Sequence, residues 1–216
     1  MSRSLLNSLG VVSSLQCIYT MSMKKFVELP KLSPGDKVAI VSPSFAAPGL
    51  WPHVLELGLK RMQEKFELNP VVFPAACDLE ATIDDKAADL IAAFENPEIK
   101  AVFTTLGGDI QVTYCKNLPE EPFKNNPKPF FGYSDNTHFM NHLWQLGIPS
   151  YYGGCVFTEF ADPGVLDSFT ESYLRKALFE KGTVELTRSK EFSDEGLDWG
   201  DPSNLHKKRR YQTNTD

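Results

Sequence analysis

Cysteine is scarce in this 216-residue chain, and its four copies, Cys17, Cys77, Cys115 and Cys155, are scattered without a C-x-x-C pair. That spacing argues against a disulfide framework or a cysteine zinc site, and it reads as reduced structural thiols in a cytoplasmic protein. Long apolar runs are lacking too: no stretch approaches the ~18 residues that a membrane span needs. Basic charge is in deficit, with 22 Lys and Arg against 28 Asp and Glu, a formal net charge of −6. A phosphate-backbone partner calls for a basic surface, so a nucleic-acid polymer is disfavoured. No internal repeat is visible. The first 22 residues carry Arg3 as their only charge, and serines and Asn7 interrupt what would be the apolar core of a secretory signal. The expectation there is a disordered extension, with a start at Met21 or Met23 or a weak mitochondrial presequence as the other readings.

What is present is ordinary for a globular protein, 42% hydrophobic and 23% charged, and enough to bury a core. From Lys37 onward, strand and helix patterns alternate. Strands are expected at Lys37–Val41, Pro70–Phe73, Ala101–Thr105, Pro129–Tyr133, Ser150–Tyr152 and Thr183–Leu186. Helices are expected at Trp51–Phe66, Asp84–Glu95, about Ile110–Lys116, Asp135–Leu146 and Val165–Glu180. Such alternation implies an α/β fold of flavodoxin or Rossmann type, with a mostly parallel sheet and helices on both faces. The expected division is an extension over 1–30, an α/β domain over 31–187 and a polar connector over 188–216, which holds the basic run Lys207-Lys208-Arg209-Arg210.

Ligands in these folds bind beyond the carboxyl ends of the strands. Ser42-Pro43-Ser44, Gly107-Gly108 and Ser134 all fall there. In Phe130-Phe131-Gly132-Tyr133-Ser134-Asp135-Asn136-Thr137, an apolar strand meets a Gly-x-Ser step and a helix follows at once. A serine at such a junction is held out of the sheet on a tight turn, facing the N–H groups at the helix start. The Asp135 N–H is a natural donor for an oxyanion. Asn136 replaces the last glycine of the G-x-S-x-G elbow, so the α/β-hydrolase fold is not supported. The blander reading of Ser134-Asp135 is an N-cap pair opening an ordinary helix.

Three segments, Leu32–Ser44, Ala101–Asp109 and Gly132–Thr137, resemble the LD-carboxypeptidase family of serine peptidases in order and separation. By that resemblance Ser134 is the nucleophile, and Gly107 and Gly108, together with the Asp135 N–H, form the oxyanion site; Gly107 and Ser44 are also expected to line the substrate. Leu106, where murein-recycling members usually have arginine, and the segment Ser193–Trp199 lean toward the microcin-immunity branch. The resemblance runs from about Lys31 to Tyr211. In the family a second domain then supplies a glutamate and a histidine, which have no counterpart here. A serine without a base is a weak nucleophile, so the chain as written is expected not to turn over. The implied substrate is a small peptide, either an L,D-linked murein peptide or a peptidyl-nucleotide. No cofactor is expected, and a homodimer is among the expected assemblies. The competing reading is a non-catalytic α/β ligand-binding protein.

Other motifs carry less. His138 and His142 share one helix at i and i+4, but Phe139 stands where a zincin has glutamate, and no third ligand is in view, so no metal is expected. His138 is also a candidate local base for Ser134, with a helix-rim residue as the plainer reading. Thr104–Gly108 lacks the lysine of a phosphate loop. Asp198-Trp199 reads as a ligand-stacking pair or, more commonly, an aromatic anchor for the connector.

Overall fold

Side chains that alternate across each strand build two cores from one sheet. The computed structural model describes residues 24–215, and the expectations for residues 1–22 lie outside it, as does Cys17. Strands β1 (Lys37–Val41), β2 (Asn69–Val72), β3 (Ile99–Thr104), β4 (Phe130–Gly132) and β5 (Tyr151–Tyr152) form a sheet in the order β2-β1-β3-β4-β5. Every pairing in it is parallel. Val38, Ile40, Phe103 and Phe131 face helices α1 (Pro52–Phe66) and α5 (Ser168–Phe179). Ala39, Val41, Val102 and Phe130 face α2 (Ile83–Glu95), the short α3 (Glu121–Asn125) and α4 (Thr137–Gln145). Helices thus cover both faces, because a strand buried on both sides needs two apolar layers. Phe103, Phe131 and Tyr151 stand opposite one another on neighbouring strands, and their rings stack at 4.5 Å with 6° between planes.

The order 2-1-3-4-5 is that of flavodoxin-like sheets, which reverse direction between β1 and β3. The loops after those two strands meet beyond the sheet, where the Phe45 N–H donates to the Gly107 carbonyl at 3.2 Å, and the β4–α4 junction lies against them.

Three expected elements differ in the structure. Thr183–Leu186 is no strand: Leu186 is 81% exposed, and the segment finds no sheet edge to pair with. The last long helix starts at Ser168 rather than Val165, since the Asp167 side chain caps it by accepting from the Thr170 N–H. The expected helix after the double glycine is a pair of 3₁₀ turns, Gln111–Thr113 and Cys115–Asn117.

The segment after α5 is largely exposed but pinned to the domain at several points. Its Trp199 ring packs 5.3 Å from Trp51 and 5.5 Å from Phe157, and its carbonyl meets His53 Nε2 at 2.8 Å. Arg209 reaches the buried Asp162 at 3.1 Å, and Glu191–Phe192 pairs antiparallel with Gln212–Thr213. Within the basic run, therefore, Arg209 serves as an anchor.

Candidate active site

Ser134 stands at the abrupt end of β4 with φ +58°, in the left-handed region that costs a residue with a Cβ about 1–2 kcal/mol. Tyr133 before it is extended, and a 3₁₀ turn, Ser134–Asn136, leads into α4. The turn throws the serine out of the sheet, and Ser134 is exposed while Asp135 and Asn136 are buried. No side chain caps the start of either helical segment. Ser134-Asp135 is therefore not an N-cap pair, and the strained serine is left with its hydroxyl uncommitted to its own backbone.

Gly107 and Gly108 lie against this turn. A Cβ on Gly107 would sit 2.9 Å from both Cβ and Oγ of Ser134, and 3.5 Å from the Asp135 nitrogen, so only glycine lets the loop approach so closely. A Cβ on Gly108 would collide with Ser44 Oγ and stand 2.8 Å from the Phe45 nitrogen. The structure thus gathers all five residues singled out in the sequence, Ser44, Gly107, Gly108, Ser134 and Asp135. It also shows their different surroundings: Ser134 and Gly108 are exposed, whereas Ser44 and Asp135 are buried. Ser44 Oγ donates to Asp135 Oδ2 at 2.6 Å, so its hydroxyl is engaged inside the loop cluster rather than offered to solvent.

Two buried side chains that the motifs did not single out complete the cluster. The Asn136 amide donates to the carbonyls of Leu106 and Tyr133, both at 3.1 Å, and to Thr104 Oγ1 at 3.3 Å. It braces the turn from beneath, where a glycine could not. Gln111 accepts from the Phe139 N–H at 2.9 Å and donates to Asn136 Oδ1 at 3.2 Å. An amide at the position of the elbow's last glycine was a readable signal for the first. The second had none, because Gln111 meets Asn136 only through the fold.

The histidines do not assemble a metal site. His138 is exposed, with Nε2 3.6 Å from Asp135 Oδ1. His142 instead packs against Phe123 and Phe139, and burial pulls its pKa down. Among the described residues no group of three or more His, Cys, Asp or Glu side chains could hold a metal ion. No hydrogen bond joins His138 to Ser134 among the described residues. Cys155 is fully buried beside Thr104, and burial pushes its thiol up to about 12, in keeping with a structural thiol. No helix among the described residues is long and apolar enough to cross a membrane.

One residue before Ser134, Tyr133 borders a cavity of about 480 Å³ shared with Glu159, Phe169, Arg209 and Tyr211. Glu159 comes from a π-helical turn, Val156–Phe160, and burial raises its carboxyl although Thr158 donates to it at 2.7 Å. The docked segment thus forms one wall of the cavity.

Residues 38–153, more than half of the chain, match the model of the LD-carboxypeptidase N-terminal domain. The chain is 31% identical over 169 residues to the Bacillus subtilis protein named "Putative carboxypeptidase YocD", covering 76% of this chain and 51% of that one. It is 27% identical over 190 residues to the Escherichia coli microcin C7 self-immunity protein MccF, covering 85% of this chain and 55% of MccF. It therefore spans about half the length of these relatives. Among solved structures, wild-type MccF without ligand superposes with a TM-score of 0.81 at 23% identity, covering 88% of this chain and 58% of that one. That likeness bears on the fold. An MccF-like protein from Streptococcus pneumoniae, solved in complex with AMP, gives a TM-score of 0.72 at 28% identity, covering 84% and 55% of the two chains. The match over residues 38–153, together with the 31% identity to a carboxypeptidase relative, places this chain in the LD-carboxypeptidase family, of which it carries the N-terminal domain.

Proposed function

We propose that this chain carries the nucleophile half of a serine carboxypeptidase-like hydrolase acting on an amide bond near a peptide carboxyl end. The observation that carries the reading is Ser134 at φ +58°, packed against Gly107 at the end of β4. Ser134 Oγ attacks the carbonyl, and the Gly108 and Asp135 N–H groups hold the oxyanion. The base and its orienting carboxylate, by family resemblance, belong to a second domain. The described residues hold no hydrogen-bonded base for Ser134, which supports reading the 216-residue chain alone as a poor catalyst. The substrate class is a small L,D-linked peptide or a peptidyl-nucleotide. MccF structures in complex with aspartyl sulfamoyl adenosine and glutamyl sulfamoyl guanosine support the second. A cytoplasmic location and a homodimer belong to the same proposal, and cell fractionation and sedimentation test them.

The test is labelling with a fluorophosphonate, with imidazole added in steps as an external base and the site read by mass spectrometry. Labelling should fall on Ser134 and rise with imidazole, and it should vanish in Ser134→Ala. No label on Ser134 at any imidazole concentration, or equal labelling of the Ser134→Ala chain, overturns the proposal in favour of a non-catalytic binding protein.

A further inference from the structure

The Asp135 carboxylate is buried, 9% exposed, within one residue of the nucleophile. A buried carboxylate is costly unless donors surround it. An aspartate in the first turn of a helical segment would ordinarily take its donors from that segment's own N–H groups. Here it does not, since no side-chain cap is made at this turn. Its Oδ2 turns away and accepts from two other loops: the Ser44 hydroxyl at 2.6 Å, after β1, and the Gln111 N–H at 2.9 Å, after β3. His138 stands 3.6 Å from Oδ1.

These contacts enclose the glycine loop. At its near end the Gly107 carbonyl accepts from the Phe45 N–H at 3.2 Å. At its far end Ile110 N–H points to Ser44 Oγ at 3.4 Å, and Gln111 N–H is held by the carboxylate. Gly108 lies between those anchors, pressed on Ser44. The Gln111 side chain then returns to Asn136 and Phe139 on the α4 side of the turn. One carboxylate therefore ties the nucleophile turn to the loops after β1 and β3, through partners 91 and 24 positions away in the chain.

We propose that the Asp135 side chain is a positioning residue that presets the oxyanion site, fixing where the Gly107-Gly108 backbone stands relative to Ser134. It acts through Ser44 and Gln111 rather than on the reacting atoms. Its value for catalysis rests on the reading of Ser134 as nucleophile, but the geometry it sets does not.

The test is amide hydrogen exchange on this chain, comparing wild type with Asp135→Asn and Ser44→Ala. Both donors share Oδ2, so an asparagine of the same shape can take them on its carbonyl oxygen only as neutral hydrogen bonds, about half as strong. Exchange at Gly107–Gln111 should quicken by about 5- to 10-fold, the range for weakening hydrogen bonds from charged to neutral. Amides of β1 and β3 should keep their protection. Ser44→Ala should quicken the same loop as well, and the double variant should fall short of the sum of the two, because both act on one shared bond. Unchanged loop exchange in both single variants overturns the proposal, as does an increase spread evenly over the sheet. If Asp135→Asn fails to fold, Ser44→Ala alone decides. Fluorophosphonate labelling with imidazole supplies the functional readout: the limiting rate on Ser134 should fall in Asp135→Asn while the half-saturating probe concentration holds. A wild type that is never labelled defeats the nucleophile reading and leaves the exchange result to judge the clamp.

Discussion

Ser134 is a place where the fold works against its own residue, and the strain can be measured. A Cβ at φ +58° costs about 1–2 kcal/mol, and glycine escapes that cost. Glycine also loses about 0.5–1 kcal/mol through the greater freedom of its unfolded chain. Ser134→Ala keeps the Cβ and the strain, whereas Ser134→Gly sheds the strain and takes on the entropy. The side chain is exposed and makes no hydrogen bond among the described residues, so little else changes between the two variants. Ser134→Gly should be the more stable by about 0.5–1 kcal/mol, or about 1–4 °C in Tm for a chain of this size. Thermal and urea unfolding of the pair, read by circular dichroism, give the difference directly. An alanine variant at least as stable as the glycine variant refutes the argument, and with it the claim that Ser134 sits on a strained turn.

Gly107→Ala should destabilise by about 1–3 kcal/mol in urea unfolding, because its Cβ would stand 2.9 Å from Ser134 Cβ and Oγ. The same variant should lose fluorophosphonate labelling even under conditions where it is fully folded. Asp167→Ala should cost about 1 kcal/mol in thermal unfolding through loss of the α5 cap at the Thr170 N–H. Lys128 is buried, donating to the Ala93 and Asn96 carbonyls, and burial brings its pKa down to about 8. Its folded pKa is below the unfolded one, so the unfolded chain binds more protons between about pH 8 and 10.5, and stability contributed here rises with pH across that window. Urea unfolding of wild type minus Lys128→Met should show that rise, on the order of a kcal/mol; a flat difference counts against it.

Much of this fold was legible because its signals are local. The continuous apolar run Val38–Val41, buried on both faces, and the break at Gly132–Ser134 each need only a few neighbouring residues to be read. The place of Gly107 beside Ser134 followed from family resemblance and strand order, not from any local pattern. What stayed hidden depends on partners far along the chain. Asp135 looks like a helix cap until the Gln111 N–H and Ser44 hydroxyl are brought to it. The Thr183–Leu186 pattern looked like a strand, but a strand exists only where an edge receives it, and the recorded β5 pairing is with β4. The start of α5 was misplaced by three residues because apolar Val165 and Leu166 continue the helical pattern, while the Asp167 side chain decides the boundary.

The Trp199 contact has a consequence for how the chain is made. His53 and Trp199 are 146 positions apart, so the Trp51 face of α1 waits for that much more chain before Trp199 covers it. At ribosomal rates of about 5–20 residues per second, that wait is roughly 7–30 s. The sheet can close around β3 and β4 well before then. During that interval the nascent domain presents bare tryptophan and phenylalanine rings at the foot of α1, a surface that a chaperone could hold and that Trp199 later takes back.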